Sequence, residues 1–469
     1  MPYAALAELL RLAGLPGAVA ETVVFTGDDP VLATRFRIGK AGAAAIAAAA
    51  LAAAELWALR PGGKRQGIAV DLRTAAAALR SSRHLRIDGA PPRDIFDPVS
   101  GFHRTRDGGW VMLHCNFPNH RAAALAVLGL DANAMRESVA AAVARWEGLA
   151  LEDAVHAGGG CAAQVRSAGD WQRHPQAAAV AGLPLLEIER IGDAPPEPLP
   201  AGDRPLSGVR VLDLTRVLAG PTGARALAEH GADVLKISAP HLPSSRDMDI
   251  DTGLGKLSGF LDLRREEDAR TLAALVGEGR ADVFVQGYRP GSLARRGFGA
   301  EHLAALRPGI VAVELSAWGR LGPWAGRRGF DTIVQSASGL ALIEGEGSPR
   351  LMPVSALDYI SGYLLALGAM AALGRRAREG GSWRVRVSLA RTGRWLGDWG
   401  LLDAAAIAGL PRELPEAEII RLSQETRSPM GLIRHLAPAA RMEATPPRWA
   451  RPPVPLGHDA PAWPDRDSA

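Results

Sequence analysis

The chain has 469 residues, of which 47% are hydrophobic and 22% are charged, as is usual for a folded globular protein of two or three domains. Its 54 basic and 50 acidic residues leave a net charge of +4, and no run of Lys or Arg interleaved with aromatic residues indicates a nucleic-acid partner. Its two cysteines, Cys115 and Cys161, lie in different segments, which argues against a disulfide framework and a cysteine-based zinc site. The first residues lack the charged and apolar regions of a signal peptide, so we expect a cytoplasmic protein.

An alanine-rich helix is predicted over residues 44–57, within a mainly helical N-terminal segment, residues 1–94. It ends at a Pro-Gly-Gly stop signal and leads into a predicted strand over residues 67–72. The apolar stretch 41–59 is long enough to raise the question of a membrane span, but it consists mostly of Ala and carries Glu55. We therefore expect a packed core helix and no membrane partner.

The same helix–turn–strand unit recurs later in the chain. Residues 362–376 predict an apolar helix, which is followed by a Gly-Gly turn and a strand over residues 385–389. The similarity indicates an internal duplication, although alanine-rich helices also resemble one another by chance. If the two units are copies, Asp358 aligns near Lys40, and only the second copy carries the carboxylate.

Between these two units the chain changes character. Residues 95–190 mix short helices and strands and predict a small α+β domain, and the Pro-rich residues 191–206 predict a semi-rigid linker. Residues 207–396 are predicted to form a large domain. The remaining residues, 397–469, predict either a disordered tail or a segment that packs back on the body. Candidate anchors for that packing are Met442, Trp449 and Trp463.

From residue 209 onward, strands and helices alternate. Strands are predicted at residues 209–214, 232–237, 281–285 and 310–315, and helices at residues 219–229 and 266–278. This alternation predicts an α/β fold with a doubly wound, parallel (Rossmann-like) sheet, in which ligands bind outside the carboxyl ends of the strands. The first strand–helix turn lacks the Gly-x-Gly-x-x-Gly and Gly-x-x-x-x-Gly-Lys patterns, which argues against nicotinamide, flavin and nucleoside-triphosphate cofactors.

Asp358 is an acidic residue just before a predicted helix that has no charge between residues 362 and 373. A carboxylate in such a place needs a partner, and the free N–H groups and positive dipole end of the helix can provide one. The pattern allows two interpretations. Asp358 either caps a core helix, as aspartates commonly do, or serves as a carboxylate nucleophile at the rim of a pocket.

Five segments of the second half occur in an order that is typical of one enzyme family. They are Val-Leu-Asp-Leu-Thr-Arg-Val-Leu-Ala-Gly-Pro (211–221), Gly-Ala-Asp-Val-Leu-Lys-Ile (231–237), Val-Phe-Val-Gln-Gly-Tyr-Arg-Pro-Gly (283–291), Gly-Phe-Asp-Thr-Ile-Val-Gln-Ser-Ala-Ser-Gly (329–339) and the Asp358 segment (351–373). Through these motifs the chain resembles the family III CoA-transferases (CaiB/BaiF), which include formyl-CoA transferase, carnitine CoA-transferase and α-methylacyl-CoA racemase. The module at residues 95–190 resembles the family's small domain, which normally follows the large domain. The chain therefore resembles a permuted or duplicated-and-trimmed member.

The resemblance implies that the chain moves CoA between an acyl-CoA and a free carboxylic acid. Asp358 takes the position of the family's nucleophile, which forms an aspartyl anhydride and then an aspartyl-CoA thioester. CoA enters as a co-substrate, and no metal, nicotinamide or flavin is implied. The resemblance also implies a homodimer, in which large and small domains of different subunits face each other across the site.

The resemblance further assigns contacts with CoA to residues of this chain. The first loop would contact CoA through Val217, Leu218 and Ala219. Lys256 matches a basic residue near the CoA phosphates. Two further CoA contacts are implied, for Tyr288 and Arg328.

Departures from the family pattern keep two alternatives open. Gly287 stands where the family has Asn, and Ala239 stands where a CoA-binding Arg is common, although Arg246 can compensate. These changes leave room for a catalytically inactive acyl-CoA-binding homologue. Phe330 stands where the racemase branch has His, and racemisation needs a second acid–base group opposite the aspartate. We therefore favour CoA transfer over an acyl-CoA racemase or isomerase.

Overall fold

The computed structural model describes residues 2–93 and 96–464. Its α-helices are α1 (Pro2–Ala13), α2 (Ile38–Ala58), α3 (Leu72–Ala78), α4 (Ser81–His84), α5 (Pro118–Leu128), α6 (Arg136–Val143), α7 (Gly148–Ala157), α8 (Ala168–Arg173), α9 (Pro175–Ala181), α10 (Ala219–Glu229), α11 (Arg246–Thr252), α12 (Glu266–Val276), α13 (Ala300–Leu306), α14 (Asp331–Ala337), α15 (Leu340–Glu344), α16 (Ala356–Glu379), α17 (Leu389–Asp398), α18 (Ala404–Ile407) and α19 (Glu416–Arg421). Its strands are β1 (Val23–Thr26), β2 (Ile68–Asp71), β3 (Arg86–Ile87), β4 (Gly101–Arg104), β5 (Trp110–Leu113), β6 (Ala162–Gln164), β7 (Glu187–Gly192), β8 (Arg210–Leu214), β9 (Asp233–Ser238), β10 (Lys256–Phe260), β11 (Val283–Gln286), β12 (Val311–Ser316), β13 (Ser382–Ser388), β14 (Ser423–Ser428), β15 (Gly431–Leu436) and β16 (Ala440–Met442). Short 3₁₀ helices lie at Gly17–Thr22 and Ala294–Arg296.

Seven strands form the central sheet, in the order β10-β9-β8-β11-β12-β13-β7. The first six run parallel, and β7 pairs antiparallel with β13 at the edge. From β8 the chain moves outward through β9 to β10, and it then builds β11, β12 and β13 on the other side. The predicted doubly wound α/β fold is confirmed. Because the winding reverses between β8 and β11, a ligand crevice is expected at the carboxyl ends of these two strands.

Helices cover both faces of this sheet. Successive side chains of a strand point to opposite faces, so neighbouring residues of β8 enter different cores. Val211 belongs to the core that contains α10 and α16, whereas Leu212 belongs to the core that contains α12 and α13. Burial on both faces explains why these strands are rich in Val, Leu and Ile at successive positions, as is typical of parallel sheets.

Helix α16 begins earlier than predicted. The apolar run starts at Gly362, but the helix starts at Ala356, so Asp358 lies in its first turn and not before it. Every residue from Ala356 to Gly374 is buried, which confirms the prediction of a helix surrounded by protein.

Helix α2 packs against α16 in the same core. Both helices have the length and hydropathy of a membrane span, yet 83% of the apolar window of α2 and 100% of that of α16 lie buried inside the protein. The sequence 41–59 is therefore a packed core helix, as predicted.

Three smaller sheets surround the central one. Strands β4, β5 and β6 are antiparallel and share a separate core with α5, α6 and α7, which together form the predicted small α+β module. The other two sheets, β1-β2-β16 and β14-β15-β3, join the first part of the chain to its C-terminal part. The predicted boundary between residues 94 and 95 lies outside the described residues, and the division into domains stays a prediction.

The C-terminal segment packs back on the body, as one of the two interpretations predicted. Met442 is buried in β16, the indole N–H of Trp449 donates to the Arg225 carbonyl at 3.2 Å, and that of Trp463 donates to the Leu275 carbonyl at 3.0 Å. The Pro-rich segment before β8 is also held in place. The Arg60 side chain donates hydrogen bonds to carbonyls within residues 200–207.

The crossing of α10 and α16 generates a first prediction. A Cβ at Gly362 would lie 2.6 Å from the Ala219 carbonyl oxygen and 2.8 Å from the Thr222 Cβ, so a side chain there would push the two helices apart. We expect Gly362→Ala to lower the free energy of unfolding by about 1–3 kcal/mol. Gly374→Ala, on the same helix, meets neighbouring atoms only from 3.5 Å and is expected to be neutral or stabilising. Urea unfolding measures both, and equal effects would contradict the close crossing.

Candidate active site

Asp358 occupies the first turn of α16 and is 8% exposed. Among the residues that the structure describes, none donates a hydrogen bond to its carboxylate. An ionised carboxylate in such a place is costly, and it must hold its proton or meet a ligand or water. Asp358 does not line the largest cavities, but Ser355 and Tyr359, its neighbours on the same helix turn, line one of about 100 Å³.

The N-terminus of α16 is capped by another carboxylate. Asp331, at the start of α14, accepts hydrogen bonds from the backbone N–H groups of Leu357 at 2.9 Å and Asp358 at 3.2 Å, and from the Gln335 side chain. The interpretation of Asp358 as the cap of its own helix is therefore wrong. Two of the free N–H groups of the helix, those of Leu357 and Asp358, donate to Asp331, and none donates to the Asp358 side chain among the described residues.

The two carboxyl groups perturb each other. Burial, and then the charge of Asp331, raises the pKa of Asp358 well above its ordinary value. Burial also raises the pKa of Asp331 to about 6, against the lowering effect of its three N–H donors. Because only Asp331 has these donors, the shared negative charge rests on Asp331 and the proton rests on Asp358.

The first loop of the large sheet lies beside this pair. Val217 follows β8 with φ +72°, a left-handed conformation that is rare and costly for a β-branched residue. Leu218 precedes the first turn of α10, and the Ala219 carbonyl is the group that approaches Gly362, one helical turn after Asp358. The structure thus brings the predicted residues of this loop close to the predicted nucleophile.

Three arginines gather at the crevice between β8 and β11. Arg216 follows β8, Arg289 follows β11, and Arg328 precedes α14. Burial, and then nearby Arg289, lowers the pKa of Arg328, and Arg328 and Arg216 together help to lower that of His120. None of the three has a carboxylate partner within 4 Å in the described part of the chain. Arginines without acidic partners, in a crevice at the carboxyl ends of the strands, favour the binding of an anionic ligand.

Two cavities open at the carboxyl end of the sheet, and Tyr288 lines both. One, of about 180 Å³, is lined by Ser238, Ala239 and Arg296 among others, and the second, of about 230 Å³, lies over the ends of β11, β12 and β13. Gly287, where the family has Asn, is exposed, and a Cβ there would meet no atom closer than 3.8 Å. The position therefore admits a side chain.

The other two predicted contacts, Lys256 and Arg246, each lie beside a carboxylate of the protein. The Lys256 side chain is 2% exposed, and its ammonium donates to the Asp213 carboxylate and the Pro221 carbonyl, both at 2.8 Å. It therefore links the first turn of α10 to strand β8. Burial lowers its pKa to about 8. This placement does not present Lys256 to the crevice. Arg246 begins α11, is half exposed and lies 3.6 Å from the Asp247 carboxylate.

The small module supplies an aromatic wall that the sequence did not reveal. His114 stacks on Phe330 with 3.9 Å between ring centroids, and Phe117 and His120 pack around the same ring. Burial, followed by His120, lowers the pKa of His114 to about 3, so this imidazole is neutral. The wall therefore joins residues 95–190 to the segment that carries Asp331.

Comparison with known proteins gives the family. The profile of CoA-transferase family III matches residues 17–195 and 206–424, which is more than half of the chain. Acetyl-coenzyme A transferase nodX of Hypoxylon pulicicidum is 36% identical over 201 residues, which cover 41% of this chain and 34% of that protein. The succinyl-CoA–D-citramalate CoA-transferase of Chloroflexus aurantiacus is 33% identical over 189 residues, which cover 38% of this chain and 47% of that protein.

A probable fatty acyl-CoA transferase of Mycobacterium tuberculosis, Rv3272, is 31% identical over 201 residues, with 40% of this chain and 50% of that protein covered. Its crystal structure aligns with a TM-score of 0.39 over 43% of this chain and 58% of that one. The chain thus spans about a third to a half of the length of these curated relatives. Because the profile covers both halves, the chain belongs to CoA-transferase family III.

Proposed function

We propose that this chain transfers CoA from an acyl-CoA to a free carboxylic acid, with Asp358 as the residue that carries the acyl group and then CoA. One observation supports this most directly. In the described part of the chain no residue donates a hydrogen bond to this buried carboxylate, and it lies one helical turn before Gly362, where the loop after β8 meets α16. A carboxylate kept only for stability would be hydrogen-bonded, as Asp331 is.

The proposed reaction has four steps and needs no redox change. An Asp358 oxygen attacks the thioester carbonyl, the C–S bond breaks, and CoA leaves as the thiolate, which gives a mixed anhydride. The thiolate attacks the aspartyl carbonyl and releases the first acid as its carboxylate. The acceptor carboxylate then attacks the aspartyl-CoA thioester and again frees the thiolate. The thiolate finally attacks the acceptor's carbonyl, which yields the new acyl-CoA and regenerates Asp358.

The helix ends suggest where the oxyanions of these steps are stabilised. At the start of α16 the N–H groups of Leu357 and Asp358 already donate to Asp331. Helix α10 has no side-chain cap, and the N–H groups of Ala219 and Gly220 have no backbone acceptor among the described residues. A positioned backbone donor contributes roughly 3–4 kcal/mol to an oxyanion transition state. We therefore assign this role to the first turn of α10.

One observation favours an alternative, an acyl-CoA racemase or isomerase. Phe330 stands where the racemase branch has histidine, but the neutral His114 ring stacks on it, and the Nδ1 of His114 is buried without a partner among the described residues. If this imidazole were the second acid–base group, deuterium would enter the α-carbon of an acyl-CoA with no acceptor acid present. Transfer without such exchange is the outcome that we expect.

The relatives do not fix the acyl group, since they are named as transferases of acetyl-CoA, fatty acyl-CoA and succinyl-CoA. A screen of acyl-CoA donors against free acids, read by the masses of the CoA thioesters formed, identifies the substrates. CoA as co-substrate and a homodimeric, cytoplasmic enzyme remain part of this proposal.

The first prediction from this mechanism concerns Asp358. We expect Asp358→Asn to lower the transfer rate roughly 10³-fold or more, because an amide cannot form the anhydride. Asp398→Asn serves as the matched control, because that side chain is 61% exposed and pairs only with Arg394. The same donor–acceptor assay measures both. Full activity in Asp358→Asn would exclude the mechanism.

The raised pKa of Asp358 predicts a dependence of stability on pH. A carboxyl group whose folded-state pKa is raised destabilises the fold as pH rises from the unfolded value, about 4, through the folded value. Asp358→Asn removes this titration. We expect the variant to have a higher Tm than the wild type at pH 8, and the difference to vanish near pH 4. A difference that grows toward low pH would show that the Asp358 carboxylate is stabilised by the fold.

The arginine cluster predicts a salt-dependent affinity for acyl-CoA. Arg328→Gln should raise the KM for the donor about tenfold and weaken its increase with ionic strength, because a positive charge facing the anionic ligand is lost. Arg270→Gln is the control, since its side chain is 71% exposed and pairs with Glu266. An unchanged KM in Arg328→Gln would place the CoA phosphates elsewhere.

A further inference from the structure

A cavity of about 100 Å³ lies beside the first turn of α16, between the two halves of the chain. Arg80 and Arg83 line it from the first half, and Asp331, Ser355 and Tyr359 line it from the second. We propose that this cavity binds the second carboxylate of a short dicarboxylic acyl group and that Arg83 recognises it. This inference rests on the proposed function and specifies its substrate class.

Arg83 differs from the arginines around it. Arg73 and Arg86 pair with Glu418 at 2.7 Å and Glu416 at 3.1 Å, and Arg80 pairs with Glu413. Arg83 is half-buried and has no carboxylate partner in the described part of the chain. Its guanidinium lies 5.4 Å from the centroid of the Phe96 ring. A half-buried guanidinium without an acid favours an anionic ligand.

Arg80 lines the same cavity but is already engaged. Its terminal nitrogens donate to the Pro353 carbonyl and the Glu413 carboxylate, which fix the side chain in place. Its Nε is buried and out of reach of a ligand. Because Glu413 neutralises Arg80, the positive charge left at the cavity is that of Arg83.

The charge of Asp331 does not cancel this preference. Its Oδ2 accepts hydrogen bonds from two backbone N–H groups, and its Oδ1 accepts one from the Gln335 amide. Three donors of the protein therefore already stabilise its negative charge. Tyr359 is likewise engaged, because its hydroxyl donates to Ser82 Oγ at 3.1 Å. Of the charged side chains that line the cavity, Arg83 is therefore the one that has no acidic partner and no side-chain hydrogen bond among the described residues.

The position of the cavity fits an acid with two carboxylates. Asp331 lines it and accepts a hydrogen bond from the Asp358 backbone N–H at 3.2 Å, which places Asp358 directly behind the cavity wall. One carboxylate can react at Asp358 while the other extends to Arg83. The volume lies well below the 300–1,000 Å³ of pockets for drug-sized ligands, so it suits a chain of a few carbons and not a fatty acyl tail. A monocarboxylic acid of equal length would leave the guanidinium facing a methyl group.

The test compares acceptors of equal length in one assay. Succinate and butyrate, and glutarate and pentanoate, are offered with the same acyl-CoA donor, and initial rates give kcat/KM. We expect the wild type to prefer each diacid at least tenfold. Arg83→Gln should lose this preference through a higher KM for the diacids, with the rates for the monoacids unchanged, and Arg83→Lys should restore part of it. Arg106→Gln, whose side chain is 62% exposed, controls for net charge.

Each outcome decides the inference. Equal rates with diacids and monoacids, or a diacid preference that survives in Arg83→Gln, would overturn the assignment of this cavity while leaving CoA transfer intact. Transfer to neither kind of acid would overturn the proposed function and this inference together. A uniform loss of rate with all acids and a lowered Tm in Arg83→Gln would show that Arg83 supports the fold and does not select the substrate.

Discussion

Two carboxyl groups lie at one helix N-terminus, and only one of them receives its hydrogen bonds. Asp331 takes the N–H groups of Leu357 and Asp358, so the carboxylate of Asp358 is left without donors in a buried place. The remaining features of the site follow from this asymmetry. Asp331 stabilises the helix and holds the negative charge, and Asp358 is poorly solvated and correspondingly reactive once ionised. Proteins commonly keep a destabilising group, such as this buried carboxyl, where their function requires it.

Both halves of the chain contribute to the candidate site. The second half provides Asp358, Asp331 and the crevice between β8 and β11 with the strained Val217 and the arginines. The small module provides His114 against Phe330, and the N-terminal half provides Arg83. The family profile also matches both halves, in two separate segments. A single chain therefore brings together parts that lie far apart in its sequence.

The sequence predicted the parts of the structure that depend on local patterns. Strands β8, β9, β11 and β12 are rich in Val, Leu and Ile, and their alternation with helices was enough to predict the winding of the sheet. Helix α11 was missed because residues 246–252 are rich in Asp and show no apolar periodicity. Strand β10, which follows it, was missed as well. The start of α16 was missed because its cap, Asp331, lies 26 residues before Leu357, and no local pattern reports a distant cap.

The site was predictable only in part, for the same reason. Asp358 and the first loop were proposed from motifs that lie on single segments, and their roles stay predictions. Lys256 carries the right charge in the right motif, but its ammonium is turned inward to Asp213, which depends on packing that a motif cannot show. Arg216 and Arg289 lie inside motifs that were recognised, and their lack of acidic partners becomes visible only in three dimensions. Arg83 and His114 lie on elements whose proximity to Asp358 is set by the tertiary fold.

The central claim is that Asp358 becomes covalently acylated, and the most direct measurement is the mass of the peptide that carries it. The protein is incubated with an acyl-CoA, treated with hydroxylamine and digested. An aspartyl hydroxamate at Asp358 that requires the acyl-CoA is the predicted result. Turnover of the acyl-CoA with Asp358 unmodified, or with the label on another residue, would contradict the account.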